Sequence, residues 1–156
     1  MQLSFNELIR FLRAAKLGTY AGQGNNAALP ALPDSKQLEY RDGEFFYRDV
    51  YVGSVRFVGQ EIVYLADRAI WSMSYAGGLS KAIPTDSANP IYSFLRQALL
   101  NAPQELPLRG PGTFEAGGLL YTCITDGSLE WFHGREAITR DGIVLYELFF
   151  TGGSLV

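Results

Sequence analysis

The sequence predicts an α+β fold, a curved antiparallel sheet or partly closed barrel with two helices packed against it. Three observations carry this expectation: two segments with apolar residues at the helical period, a series of short strand-like runs, and a helix-then-meander order that occurs twice. The chain of 156 residues reads as a single domain, 1–156, large enough to build a core without disulfides or metal. Its pseudo-repeat halves lie at about 4–79 and 89–154, joined by 80–88.

The first helix opens on Ser4-Phe5-Asn6-Glu7, a capping box, with Leu3 and Leu8 placed as a hydrophobic staple. Phe5, Leu8, Ile9, Leu12 and Ala15 form one apolar face, and Gly18 supplies the stop. The second helix is expected from Asn89 as cap and Pro90 as first residue, with Ile91, Phe94, Leu95, Ala98 and Leu99 on one side. It should end near Asn101, before Pro103.

The remaining regular segments read as strands. In the first half these are 38–41, 44–52, 54–58, 61–66 and 69–76, punctuated by Asp42-Gly43, Gly53 and Gly59. The second half offers 112–115, 118–125, 128–133, 136–140 and 143–151, separated by Gly117, Asp126-Gly127, Gly134 and Asp141-Gly142. No helical pattern intervenes within either series, which excludes a doubly wound parallel sheet.

A slide of 75 places Gly59, Glu61, Gly77 and Gly78 on Gly134, Glu136, Gly152 and Gly153, and Trp71, Met73 and Tyr75 on Tyr146, Leu148 and Phe150. A slide of 74 carries Tyr40, Gly43, Tyr47, Gly53 and Ser54 onto Phe114, Gly117, Tyr121, Gly127 and Ser128. One extra residue near Phe132 reconciles the two, and Arg56 then meets Glu130 as its counterpart. A slide of 83 matches the helices, Phe11 to Leu17 on Phe94 to Leu100. The first half therefore has a longer connection after its helix, in Thr19 to Lys36. Its Gly and Pro content marks an irregular loop, either a spacer or a functional cover. Gly22-Gln23-Gly24 within it follows a helix without a βαβ unit and is no dinucleotide fingerprint.

The net charge of −3 and 13 scattered basic residues leave no basic stripe for phosphates, so direct nucleic-acid binding is not expected. The N-terminus lacks signal-peptide character and no apolar run approaches a membrane span, which points to a cytoplasmic protein. With one His and one Cys, neither a metal site nor a cofactor is expected.

Alternation in strand 44–52 separates Phe46, Val50 and Val52, read as core, from Phe45, Tyr47, Asp49 and Tyr51. In the other half, Leu120 and Ile124 are likewise separated from Leu119, Tyr121 and Cys123. The second set in each strand suits a solvent-facing sheet surface or the wall of a ligand cavity. Trp71, Trp131, Met73 and Tyr75 read as core. Glu61 and Glu136 are repeat counterparts that could face each other as an acid/base pair, or act as acceptors for backbone amides at glycine breaks. His133, near Glu136 in sequence, is a third acid/base candidate or a hydrogen-bonded structural residue. Cys123, without a nearby base, reads as an inert thiol.

The series Lys16-Leu-Gly-Thr-Tyr-Ala-Gly-Gln-Gly24, Leu38-Glu-Tyr-Arg-Asp-Gly43, Phe57-Val-Gly-Gln-Glu61, Ile70-Trp-Ser-Met-Ser-Tyr-Ala-Gly77, Tyr121-Thr-Cys123 and Glu130-Trp-Phe132 resembles an uncharacterised bacterial and archaeal domain family of unknown function. That resemblance implies no catalytic residues. Through members that follow a helix-turn-helix domain, it implies a sensing or effector-binding role; here the first helix is expected to enter the repeat directly. The leading expectation is a small-molecule-binding module, with Tyr47, Asp49, Tyr51, Tyr121, Trp71 and Tyr20 as ligand contacts beneath the 19–36 loop. Alternatives are a small acid/base enzyme using Glu61, Glu136 or His133, and a homodimeric interaction module.

Overall fold

The computed structural model describes residues 4–21 and 27–156. Leu3 of the expected staple and the Gly22-Gln23-Gly24 segment lie outside them. The first helix, α1, spans Phe5–Gly18 and buries Leu8, Phe11, Leu12 and Ala15, the stripe that the helical period requires. Ser4 is its N-cap, but only through its carbonyl, which accepts 3.1 Å bonds from the Glu7 and Leu8 amides. Its side chain makes no capping bond.

The second helix, α2, spans Ala88–Leu99 after a 3-10 turn at Thr85–Ser87. Its N-cap is Ser87 rather than Asn89, so Pro90 falls at the third helical position. There it is still in the first turn, where a missing amide leaves no intrahelical bond unmade. Ile91, Phe94, Leu95, Ala98 and Leu99 are buried.

The strands are β1 (Ser35–Asp42), β2 (Phe45–Gly53), β3 (Arg56–Leu65), β4 (Arg68–Leu79), β5 (Thr113–Ala116), β6 (Leu119–Ser128), β7 (Trp131–Arg140) and β8 (Ile143–Ser154). They form one antiparallel sheet in the order β1-β2-β3-β4-β8-β7-β6-β5. Each half is a meander, and the meanders join through β4 and β8. The sheet is curved and does not close into a barrel, so the architecture is α+β with two edge strands.

The expected breaks at Gly59 and Gly134 do not occur; β3 and β7 run through them. Gly59 stands opposite Tyr75 and Gly134 opposite Phe150. A Cβ at either position would collide with the facing ring. These glycines therefore admit an aromatic side chain across the backbone rather than turning the chain. The register shifts instead at Val63/Tyr64 and at Ile138/Thr139, matching positions of the two halves.

On β2 and β6 the set expected in the core faces outward, and the set expected on a solvent-facing surface or a cavity wall lies inward. Tyr47, Asp49, Leu119 and Tyr121 are buried beneath the helices. Val52 and Ile124 face outward, Ile124 with 71% exposure, and Phe46, Val50 and Leu120 share that outer face. Large rings are needed to fill the space between a curved sheet and a helical layer, whereas β-branched side chains suit exposed strand positions as well as buried ones. Trp131, expected in the core, is also outside, with 68% exposure.

The halves correspond closely at their centre. Trp71 and Tyr146 are both fully buried, as are Met73 and Leu148. Gly78 and Gly153 both have positive φ, at 139° and 156°. The slide of 75 carries Tyr75 onto Phe150, and these two are themselves paired across β4 and β8. That pair maps onto itself and marks the pseudo-twofold centre. The extra residue of the second half lies in the Ser128–Glu130 turn, just before Phe132. Gly53 packs on the Arg56 carbonyl just as Gly127 packs on that of Trp131. Arg56 therefore corresponds to Trp131 rather than to Glu130.

Candidate functional site

Between the concave sheet face and the two helices lies a cavity of about 430 Å³. Period-two alternation makes β2 its wall, since Tyr47, Asp49 and Tyr51 all point inward. Phe57 is the centre of the aromatic lining, with ring centroids 6.3 Å from Tyr51, 6.0 Å from Tyr75 and 6.0 Å from Tyr92.

Asp49 is the chemical focus. It is 6% exposed and stands directly opposite Glu61 across β2 and β3. Its Oδ1 accepts a 2.6 Å hydrogen bond from the Tyr75 hydroxyl. Burial, then the charge of Glu61, raises its pKa to about 7, against the opposing pull of Tyr75, Lys16 and Arg109. This carboxyl is therefore far less acidic than a free one. Tyr75 is pushed far above the ordinary phenol range by burial and by Asp49, so its hydroxyl stays a donor.

Glu61 has a different environment. Lys16, delivered by the last turn of α1, donates 2.7 Å bonds to Glu61 Oε2 and to the Leu108 carbonyl. Tyr47 lies beside the same carboxylate, and burial followed by the Glu61 charge raises its hydroxyl pKa well above the usual range. Two adjoining acids thus have separate roles available, one held by a cation and one poised near neutrality.

Glu136 belongs to a second cluster. It is fully buried and pairs with Arg109 through two contacts, one of them Nε to Oε2 at 3.1 Å. Tyr121 donates to Oε2 at 2.5 Å and Tyr146 to Oε1 at 2.8 Å. The Gly110 amide in turn donates to the Tyr121 hydroxyl at 2.9 Å. The Glu136 carboxylate thus accepts from four donors, two on Arg109 and one on each phenol, as a buried acid requires.

The three acid/base candidates do not share a cleft. Glu61 lines the cavity, whereas Glu136 lies behind Arg109, each glutamate being tied to its own cation. His133 is exposed on the outer face, with Nε2 3.6 Å from Asp126 Oδ2. Among the ligand-contact candidates, Tyr20, Tyr47, Asp49 and Tyr51 line the cavity. Tyr121 is committed to Glu136, and Trp71 stacks on Phe132 in the core at 5.8 Å. Cys123 is half-buried with its thiol 3.9 Å from Thr125 Oγ1, and burial raises its pKa.

The 19–36 connection borders the cavity through Thr19, Tyr20, Ala21 and Lys36. Its later part runs along the sheet edge: Ala27 bridges Leu38, and the Ala28 amide bonds the Gln37 carbonyl at 2.8 Å. Much of the remaining cover comes from α2 and the segment that follows it.

Sequence reasoning missed Tyr75, Lys16, Arg96 and Arg109 as site residues. A signal for the first existed. Asp49 matches Cys123, and Tyr75 matches Phe150, so both members of the polar pair change together between the halves. Lys16 likewise matches Leu99. The roles of Arg96 and Arg109 depend on how α2 and residues 100–109 cross the sheet, which no periodicity encodes.

The family model described as a domain of unknown function, DUF5680, matches residues 49–155. The chain belongs to the DUF5680 family. The matched DUF5680 span holds Asp49, Glu61, Tyr75, Arg96 and Arg109; Lys16, Tyr20, Lys36 and Tyr47 precede it. No curated protein and no solved structure matches the chain. Among the described residues of this DUF5680 protein, no helix is long and apolar enough to cross a membrane, and no group of three or more His, Cys, Asp or Glu is placed to hold a metal ion.

Proposed function

We propose that this DUF5680 chain is a cytoplasmic small-molecule-binding module whose ligand occupies the cavity between the concave sheet face, α1 and α2. The observation that carries the reading is the contrast between two buried carboxyls. Glu136 is enclosed by an arginine and two phenols. Asp49, almost as buried, accepts its hydrogen bond from Tyr75 and borders open space. A buried acid held near neutrality opposes folding, and the corresponding place in the other half is filled by Cys123, opposite Glu136. Its presence on the cavity side is accounted for by a ligand that completes it. A volume of about 430 Å³, an aromatic lining and a few convergent polar groups fit a small-molecule site.

The same Asp49 favours a second reading, a proton-transfer enzyme in which Asp49 and Glu61 work together, since a group near neutrality suits acid/base chemistry. Thermal-shift screening of a small-molecule library against the full chain tests binding. Compounds should raise the melting temperature of the wild type in a dose-dependent way and lose that effect in the Asp49→Cys/Tyr75→Phe variant. Failure of every compound, or equal shifts in the variant, contradicts the reading. Mass analysis of bound compounds after incubation then separates a binder, which returns them unchanged, from an enzyme.

A further inference from the structure

We propose that the cavity takes a ring-bearing small organic anion, its charge met by Arg96 and Lys36, its ring against Tyr20 and Tyr51, and a hydrogen-bonding group at its other end on Asp49. This rests on the binding-module reading and names the ligand class.

The charges around the cavity carry the inference. The chain as a whole is acidic, with net charge −3. Yet the cavity is bordered by Arg13, Lys16, Lys36, Arg96 and Arg109 against Asp49 and Glu61. Two of these cations are neutralised inside the fold, Lys16 by Glu61 and Arg109 by Glu136. Among the described residues, no carboxylate stands within ion-pair distance of Arg13, Lys36 or Arg96. Concentrated positive charge in a concave, partly desolvated site selects anions.

The positions of those cations specify more than charge. The Arg96 guanidinium lies 4.9 Å from the centroid of the Tyr20 ring, and Lys36 Nζ lies 5.7 Å from that of Tyr51. Each cation is thus held beside an aromatic surface, so an anion that reaches it brings its own ring against a phenol. Lys36 is exposed, Arg96 half-buried and Asp49 buried, which sets a gradient from a cationic rim to a carboxyl at depth. Tyr51 connects the two ends, since its hydroxyl feels the charge of both Asp49 and Arg96. A bare inorganic anion would leave the phenols and Asp49 uncontacted. A cationic ligand would meet the rim charges before reaching the acid.

Isothermal titration and NMR shift mapping of the full chain test this with five probes: benzoate, phenyl phosphate, benzyl alcohol, benzylamine and inorganic phosphate. At least one of the two aromatic anions should bind at least tenfold tighter than benzyl alcohol, about 1.4 kcal/mol, and tighter than inorganic phosphate. Whichever of benzoate and phenyl phosphate binds better identifies the anion. Arg96→Gln with Lys36→Gln should bring aromatic-anion binding down to the benzyl alcohol level while leaving the melting temperature within a few degrees. Arg96→Lys should retain most of the preference. Equal or tighter binding of benzyl alcohol or benzylamine overturns the inference, as does inorganic phosphate matching phenyl phosphate or a double glutamine variant that keeps the anion preference. If neutral probes shift cavity resonances without any anion preference, the charge assignment falls and the binding-module reading stands. If no probe of any charge shifts cavity resonances, both fall.

Discussion

Tyr75 and Phe150 stand opposite each other across β4 and β8, and they are also corresponding positions of the two halves. At the pseudo-twofold centre of the sheet, the two sides therefore differ by one phenolic oxygen. On the side that has it, the oxygen donates to Asp49 at 2.6 Å. On the other side, Cys123 occupies the place of Asp49, opposite Glu136 as Asp49 is opposite Glu61. The polar pair and its apolar counterpart are alternative solutions of one local geometry, and the polar one borders the cavity.

That relationship predicts a measurable coupling. Tyr75→Phe removes the donor to a buried carboxyl and should destabilise the protein by about 1–3 kcal/mol. Adding Asp49→Cys reproduces the pair found in the second half, and the double variant should be more stable than Tyr75→Phe alone. Urea unfolding of the wild type, both single variants and the double variant closes the cycle; strict additivity contradicts the coupling.

Asp49 also sets a pH dependence whose sign is opposite to that of a salt-bridged acid. Folding raises its pKa from 3.8 to about 7, so between these values the folded chain binds more protons than the unfolded one. The contribution of Asp49 is thus most favourable below about pH 4, weakens as pH rises to about 7, and levels off above it. Unfolding free energies compared across this range should show Asp49→Asn removing a downward slope worth on the order of a few kcal/mol. A variant with the same slope as the wild type would show that another group is responsible.

The Glu136 cluster should respond far more strongly than the cavity ion pair. Arg109→Met leaves a fully buried carboxylate without its cation, for an expected loss of about 3–5 kcal/mol. Lys16→Met should be milder, because the Lys16 side chain retains 15% exposure and water reaches it. Parallel denaturant titrations of the two variants make the comparison.

The glycines inside β3 and β7 give a steric prediction. Gly59→Ala and Gly134→Ala each drive a methyl group into a cross-strand ring, Tyr75 or Phe150, and should destabilise by about 1–3 kcal/mol through overpacking. Gly43→Ala meets no atom within 4 Å. It suffers instead from its φ of 57°, by about 1 kcal/mol. Thermal unfolding of the three variants separates crowding from backbone strain.

Much of the fold was legible because it is local. The apolar stripes of α1 and α2 and turn dipeptides such as Asp42-Gly43 and Asp141-Gly142 each act within a few residues, although neither expected side-chain cap forms. The inward face of the sheet was not, because alternation separates two sets without saying which the helices cover. Tyr47 and Asp49 look more polar than Phe46 and Val50, and in this fold the phenols lie inside because their rings fill a deep concave face. Gly59 was misread for a related reason: its partner Tyr75 is distant in sequence, and only the strand register reveals why no Cβ is allowed. Of the expected ligand contacts, Tyr47, Asp49 and Tyr51 share the cavity wall on β2, but Trp71 and Tyr121 are drawn into core contacts by Phe132 and Glu136. The cations Arg96 and Arg109 came from segments that carry no periodic signal.

The central claim is that this cavity is the place where the protein meets a small molecule. Crystals of the full chain soaked with a chemically diverse fragment set test it most directly. Density for fragments should accumulate between Asp49, Tyr51 and Arg96, with a polar fragment atom within hydrogen-bond distance of the Asp49 carboxyl. Fragments found instead on the outer face around Val58 and Phe149, with none in the cavity, would contradict the account.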